Sequence, residues 1–109
     1  MDLTGFDFAV TNWARADVET RPGSVGEARS RTRQIGALRV RLVEYSAGYE
    51  ADHWCTKGHI VLCLEGNLET TLQDGRVFHL DPGMSYEVAD ELQPHRSATK
   101  SGAKLVIID

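Results

Sequence analysis

From Leu38 to Ile108 the chain is a succession of short apolar runs, each closed by a turn signal eight to twelve residues after the last. Leu38, Val40 and Leu42 alternate with Arg39, Arg41 and Val43, the period of two that marks a strand with two different faces. Ile60 to Leu64 is an apolar run that stops at Glu65-Gly66-Asn67. Leu68, Thr70 and Leu72 precede Asp74-Gly75, a strong hairpin signal, and Val77 to Leu80 form the return strand before Asp81-Pro82-Gly83. Ser85 to Val88 read as a further strand and Ala89 to Pro94 as a polar connection. Arg96 to Thr99 and Lys104 to Ile108 read as a last hairpin around Lys100-Ser101-Gly102. Its second strand is apolar on both faces and therefore central. No segment carries a helical period of any length. Seven or so short strands with this spacing predict an all-β chain, an antiparallel sandwich or barrel in a single domain.

The first third is patterned more weakly. Phe6, Phe8, Val10 and Trp13 suit an extended arm that docks its aromatics on the rest of the molecule. Pro22, three glycines and four arginines between Asp17 and Gly36 read as a solvated loop, with at most a short strand at Arg31-Thr32-Arg33. An anion-binding role for these arginines is the alternative. The division expected is an arm and loop region over residues 1–36 packing on a barrel over residues 37–109.

Composition narrows the function. The chain has 109 residues, the size of one domain, with 12 Lys plus Arg against 16 Asp plus Glu and a net charge of −4. That balance lacks the basic footprint of a nucleic-acid binder. With 41% hydrophobic and 26% charged residues the composition is globular. The longest apolar run has five residues, Ile60 to Leu64, far too short to span a bilayer. Two cysteines are too few for a disulfide framework. The expectation is a cytoplasmic protein with a small-molecule ligand, without nucleic-acid or membrane partners.

The chemistry concentrates in Asp52-His53-Trp54-Cys55-Thr56-Lys57-Gly58-His59. On a strand His53 and Cys55 face one side together, and Gly58 permits a bend that brings His59 to the same centre. Imidazole nitrogen and thiolate sulfur are the ligands that zinc and related transition ions prefer. His95 follows forty residues after Cys55, on a strand that an antiparallel barrel can return beside the first. His79, between Phe78 and Leu80, reads as structural, and Cys63 as a small core residue. Without a metal, Cys55 would instead be a redox thiol exchanging with Cys63.

At these positions the chain resembles the cupins. Gly48, His53, Cys55, His59 and Gly66 follow the first cupin motif, Gly-x5-His-x-His-x3,4-Glu-x6-Gly, with one residue fewer after the first Gly. Cys55 stands where the second His is expected and His59 where the Glu is expected. Gly83 and Pro94-His95 follow the second motif, with Met84 in place of the usual Asp and a connection one residue longer. Ala51 to Cys55, Lys57-Gly58-His59, Leu64-Glu65-Gly66, Asp74-Gly75-Arg76 and His95-Arg96-Ser97 are similar to the small cupins named for an Asp-His-Cys-Trp motif. The resemblance covers residues 31–109. It implies a six- to eight-stranded jelly-roll barrel around one divalent transition metal held by His53, Cys55, His59 and His95.

Exchanging a hard carboxylate for a soft thiolate shifts the metal toward zinc, with iron, nickel, manganese and copper as alternatives. Tyr86, Arg39 and Arg41 are candidates for the surrounding pocket, the arginines as partners of a carboxylate if their face is interior. Trp54 is expected in packing or a subunit contact, and Asp52 as a support for a ligand. The function expected is a metal-dependent enzyme acting on a small molecule, with a ligand-sensing or structural zinc module as the alternative. No catalytic residue is assigned. A homodimer is expected, because barrel edges and the aromatic arm leave apolar surface.

Overall fold

The computed structural model describes residues 3–109. Nine strands form two antiparallel sheets: β1 (Glu19–Pro22), β2 (Glu27–Ile35), β3 (Leu38–Tyr45), β4 (His59–Gly66), β5 (Leu68–Leu72), β6 (Val77–Leu80), β7 (Ser85–Val88), β8 (His95–Ala98) and β9 (Ala103–Ile108). The larger sheet has the order β1-β2-β3-β9-β4-β7 and the smaller the order β6-β5-β8. A single 3-10 turn at Trp13–Arg15 is capped by Asn12, whose side chain accepts from the Ala14 N–H. Among the described residues no helix is long and apolar enough to cross a membrane.

The inner faces of the two sheets meet in one core. Val43, Val61, Cys63, Leu105 and Ile107 come from the larger sheet, and Leu68 and Leu80 from the smaller. On β9 every second residue is buried, Ala103, Leu105 and Ile107, and β9 lies between β3 and β4 as its apolar composition requires. Truncating a side chain such as Leu105 to Ala at this seam is expected to cost about 2–5 kcal/mol, because the rigid neighbours cannot close the space. Asp74-Gly75 makes the β5–β6 hairpin that the sequence announces, with Leu68 opposite Leu80 and Thr71 opposite Val77.

Three expectations are corrected. Asp17 to Gly36, read as loop with at most a short strand at Arg31-Thr32-Arg33, contains β1 and the nine-residue β2, which pairs with the whole of β3 from Ala28↔Tyr45 to Ile35↔Leu38. The charged residues hid the strand: Arg29 and Arg33 sit on the exposed side while Ala28 and Ser30 turn inward. The expected hairpin of β8 with β9 does not form, because the chain changes sheet at Gly102; β8 pairs with β5, whereas β9 pairs with β3 and β4. The N-terminal arm is extended but its aromatics are not docked as a group. Phe8 is 95% exposed, and Phe6 approaches the β2–β3 turn at Gly36.

The segment between β3 and β4 joins the two sheets. Glu50 bridges both Val25 and Ala98, and Cys55 bridges His95. Backbone bonds run from Ser24 N–H to Glu50 O (2.8 Å), from Ala51 N–H to Ser97 O (2.9 Å), and in both directions between Cys55 and His95 (2.8 and 3.0 Å). The edge of β8 is thereby tied toward the β1 end of the larger sheet, and the sandwich closes on that side.

Candidate metal centre

Each residue of the centre is placed by backbone pairing. Cys55 and His95 exchange both main-chain hydrogen bonds, so their side chains leave the same face of the bridge. His59 is the first residue of β4, across the interior from that bridge. The turn before it is tied down twice: Gly58 N–H donates to Asp90 Oδ1 at 2.6 Å, and Glu91 N–H donates to Thr56 O at 2.8 Å. Position 58 has to be glycine, since a Cβ there would stand 2.5 Å from the backbone nitrogen of Asp90.

The side chains converge. His59 Nε2 and His95 Nε2 are 2.8 Å apart, and these atoms and Cys55 Sγ all lie within 4.8 Å of one another. His95 donates its Nδ1–H to Gln93 O at 2.8 Å, which leaves Nε2 with its lone pair facing His59. That is the outer bond by which proteins orient a ligating imidazole. Burial, reinforced by His95 and by the Arg41 guanidinium, lowers the His59 pKa to about 4. Its ring is therefore neutral near pH 7, with one nitrogen carrying the proton and the other free to donate an electron pair. His59 Nδ1 is buried without a partner.

The donor set fits a tetrahedral ion closely. Around zinc, nitrogen and sulfur ligands sit about 3.3–3.6 Å from one another, so a small separation of the two imidazoles and a small approach of the thiol would complete the geometry. Cys55 Sγ has only a long contact, 3.9 Å, to Lys57 O. Tyr86 brings its hydroxyl to 3.3 Å from His59 Nε2, and burial pushes its pKa up to about 12, so it is a proton donor rather than a base at neutral pH.

These groups line a cavity of about 560 Å³ enclosed mainly by the inner face of the larger sheet. Arg39 and Arg41 line it as well. The sequence suggested a carboxylate partner for the two arginines; the structure supplies one from its own chain. Asp109 accepts from Arg39 Nε and Nη2, both at 2.7 Å, and from Arg41 Nη2 at 3.2 Å. Its side chain is 1% exposed, and the Arg39 fork holds its carboxyl below the usual carboxylate range. Asp109 was not singled out in the sequence. The signal was present: β9 buries Leu105 and Ile107, so the next residue of that face points inward beside Arg39.

Of the four expected ligands the structure gathers three. His53 stands apart, 74% exposed, with Nδ1 2.6 Å from Asp52 Oδ1. The reason is local: residues 51–58 form no continuous strand, only the isolated Cys55 bridge, and His53 turns onto Asp52 at the border of the cavity instead of joining Cys55. Asp52 supports this outlying histidine instead of a clustered one. Trp54 packs under Arg96, whose guanidinium carbon lies 4.6 Å from the ring centroid. Cys63 is fully buried in the core, and His79 is exposed on β6.

Comparison of the sequence with protein-family profiles gives no match, and comparison with curated proteins gives none. Solved structures do match. An RmlC-like cupin from Shewanella frigidimarina superposes with a TM-score of 0.78 at 15% identity, over 94% of this chain and 89% of that one. The chain adopts the cupin fold. Ectoine synthase from P. lautus superposes on it with a TM-score of 0.77 at 20% identity, over 93% of this chain and 76% of that one. An HppE structure containing Fe(II) and an alternative substrate gives 0.76 at 13%, over 94% and 60%. Within the cupin fold, the Cys55–His59–His95 group lies where the interior cavity meets the seam between the sheets.

Proposed function

We propose that this cupin-fold chain binds one divalent transition metal, zinc foremost, through Cys55, His59 and His95, and acts as a metal-dependent enzyme on a small molecule held in the cavity. The observation that carries the proposal is the convergence of three soft or borderline ligand atoms on the wall of a cavity large enough for such a molecule. Three protein ligands leave one position open, the arrangement of catalytic rather than structural zinc. A bound ion of this kind supplies Lewis acidity to an oxygen placed at that position. The chain supplies the rest. The protonated Tyr86 hydroxyl offers a hydrogen bond beside the centre, and the Arg39–Asp109 fork fixes the polar wall. Fold likeness to ectoine synthase and to Fe(II)-containing HppE is compatible with catalysis but selects no reaction.

The test is metal uptake followed by cobalt(II) substitution. About one equivalent of metal is expected in untagged protein. The cobalt form should show thiolate charge-transfer absorption, and its visible bands should change when azide is added. Absence of uptake after reconstitution would overturn the proposal.

One observation favours a second reading, a structural ion. Cys55 and His95 form the seam between the sheets, so metal there would brace the closure of the fold. In that case chelation unfolds the protein and the cobalt spectrum ignores azide.

A further inference from the structure

The protein as a whole is acidic, with a net charge of −4, yet its cavity is lined by an excess of cations. Arg21, Arg39, Arg41, Lys57 and Arg96 face it, against the carboxylates of Glu19, Asp52 and Asp109. All three carboxylates are already committed, Glu19 to Arg21, Asp52 to His53 and Asp109 to the Arg39 fork. Arg41 is not equally satisfied. It reaches Asp109 with one Nη2 at 3.2 Å, and its Nε is buried with no partner at all. A buried guanidinium N–H left unpaired is costly, and a guanidinium presents two parallel N–H groups that match a carboxylate.

The surroundings define what such an anion would carry. Arg41, Ile107, Val61 and Tyr86 form one cross-strand row over β3, β9, β4 and β7. Arg41 and the Tyr86–His59 pair therefore close the two ends of an apolar strip formed by Ile107 and Val61, with Val43 and Leu105 beside it.

We propose that the cavity binds small organic acids with a compact hydrocarbon body, the carboxylate on Arg41 and the body on the Ile107–Val61 strip toward the metal centre. This names the substrate class of the proposed function and rests on that reading for its catalytic meaning. Binding of the acid itself is readable without metal.

The experiment is calorimetric titration of the full-length protein with benzoate and with its neutral isostere benzamide, in zinc-loaded and chelated forms. Benzoate is expected to bind at least tenfold more tightly than benzamide in both forms. Arg41→Gln should weaken benzoate by about 10- to 100-fold and leave benzamide unchanged, as expected for loss of one charge-assisted pair. Arg29→Gln, which removes the same charge from the outer face of β2, should change neither. If circular dichroism shows that Arg41→Gln is unfolded, Arg41→Lys replaces it: it keeps the charge, removes the fork, and should still lose about tenfold. Equal binding of benzoate and benzamide overturns the inference. So does a benzoate preference that is indifferent to Arg41 or that appears only with zinc, which would make the ion the sole anchor. Benzoate preference without any zinc uptake removes the metal reading and leaves this one standing.

Discussion

His59 Nε2 and His95 Nε2 stand 2.8 Å apart although the residues are 36 positions apart and belong to different sheets. No pairing joins β4 to β8 directly. The contact exists because Cys55 ties β8 to the segment before β4, and because the Gly58–Asp90 bond fixes where β4 begins. The candidate metal centre is thus a product of how the sandwich closes, and its ligands report on that closure.

Metal content should separate the clustered ligands from the outlying one. Cys55→Ser, His59→Ala and His95→Ala each remove one atom of the converging set and are expected to lose most of the bound metal. His53→Ala should retain about one equivalent, since His53 lies outside that set and is engaged with Asp52. Elemental analysis of the four variants beside wild type decides it; loss of metal in His53→Ala would show that loop 51–54 rearranges to supply a fourth ligand.

Thiol chemistry offers a second measurement. Cys63 is 0% exposed, and burial pushes its thiol pKa up, so an aromatic disulfide reagent should leave it unreacted in the folded protein. Cys55 lines the cavity and is reachable. One thiol should react per chain in chelated protein, and none when zinc is loaded. Rapid reaction of both cysteines, or disulfide formation between them on mild oxidation, would favour a redox role for Cys55.

Much of this was legible in the sequence, and the exceptions have physical causes. Period-two alternation found β3, the Asp74-Gly75 hairpin and the central β9, because each of these buries one face or both and turns on residues with special backbone freedom. It missed β2, whose outer face carries Arg29 and Arg33 and whose inner face is small or polar, so that Ala28, Ser30 and Thr32 line a cavity instead of filling a core. Cys55, His59 and His95 were identified by residue type and spacing. His53 was grouped with them on the premise of a continuous strand, and a single bridge replaces that strand. Asp109 escaped notice because its importance lies in a register, opposite Arg39, that only strand pairing reveals.

Asp109→Asn should destabilise the protein near neutral pH. It removes the charge from a fork of two 2.7 Å bonds and leaves Arg39 and Arg41 facing each other without a counter-ion. Because both arginines keep some solvent access, the loss is expected to be about 1–3 kcal/mol rather than the larger figure for a fully buried pair. The carboxyl pKa is lowered in the folded state, so its contribution is complete above the ordinary aspartate value of 3.8 and disappears as pH falls below it. Urea unfolding should therefore show a gap between wild type and variant at pH 7 that narrows in acid. A constant gap would mean that shape, and not charge, makes position 109 important.

His59 gives the metal-free protein a second source of pH dependence, with the same sign but a higher pH window, one in which protonation and burial conflict. Its pKa is about 4 in the folded state against 6.5 for a free imidazole, chiefly because burial disfavours the charged ring. Between those values the unfolded chain binds a proton that the folded chain refuses, so folding stability falls as pH drops from 6.5 toward 4. His59→Gln has no such group. Melting temperatures of chelated wild type and variant, followed from pH 7.5 to 4.5, should fall more steeply for wild type than for the variant below about pH 6.5. Carboxylates titrate in both proteins and cancel in the difference. Parallel curves would place the His59 ring in water, and with it the lone pair on which the proposed metal centre depends.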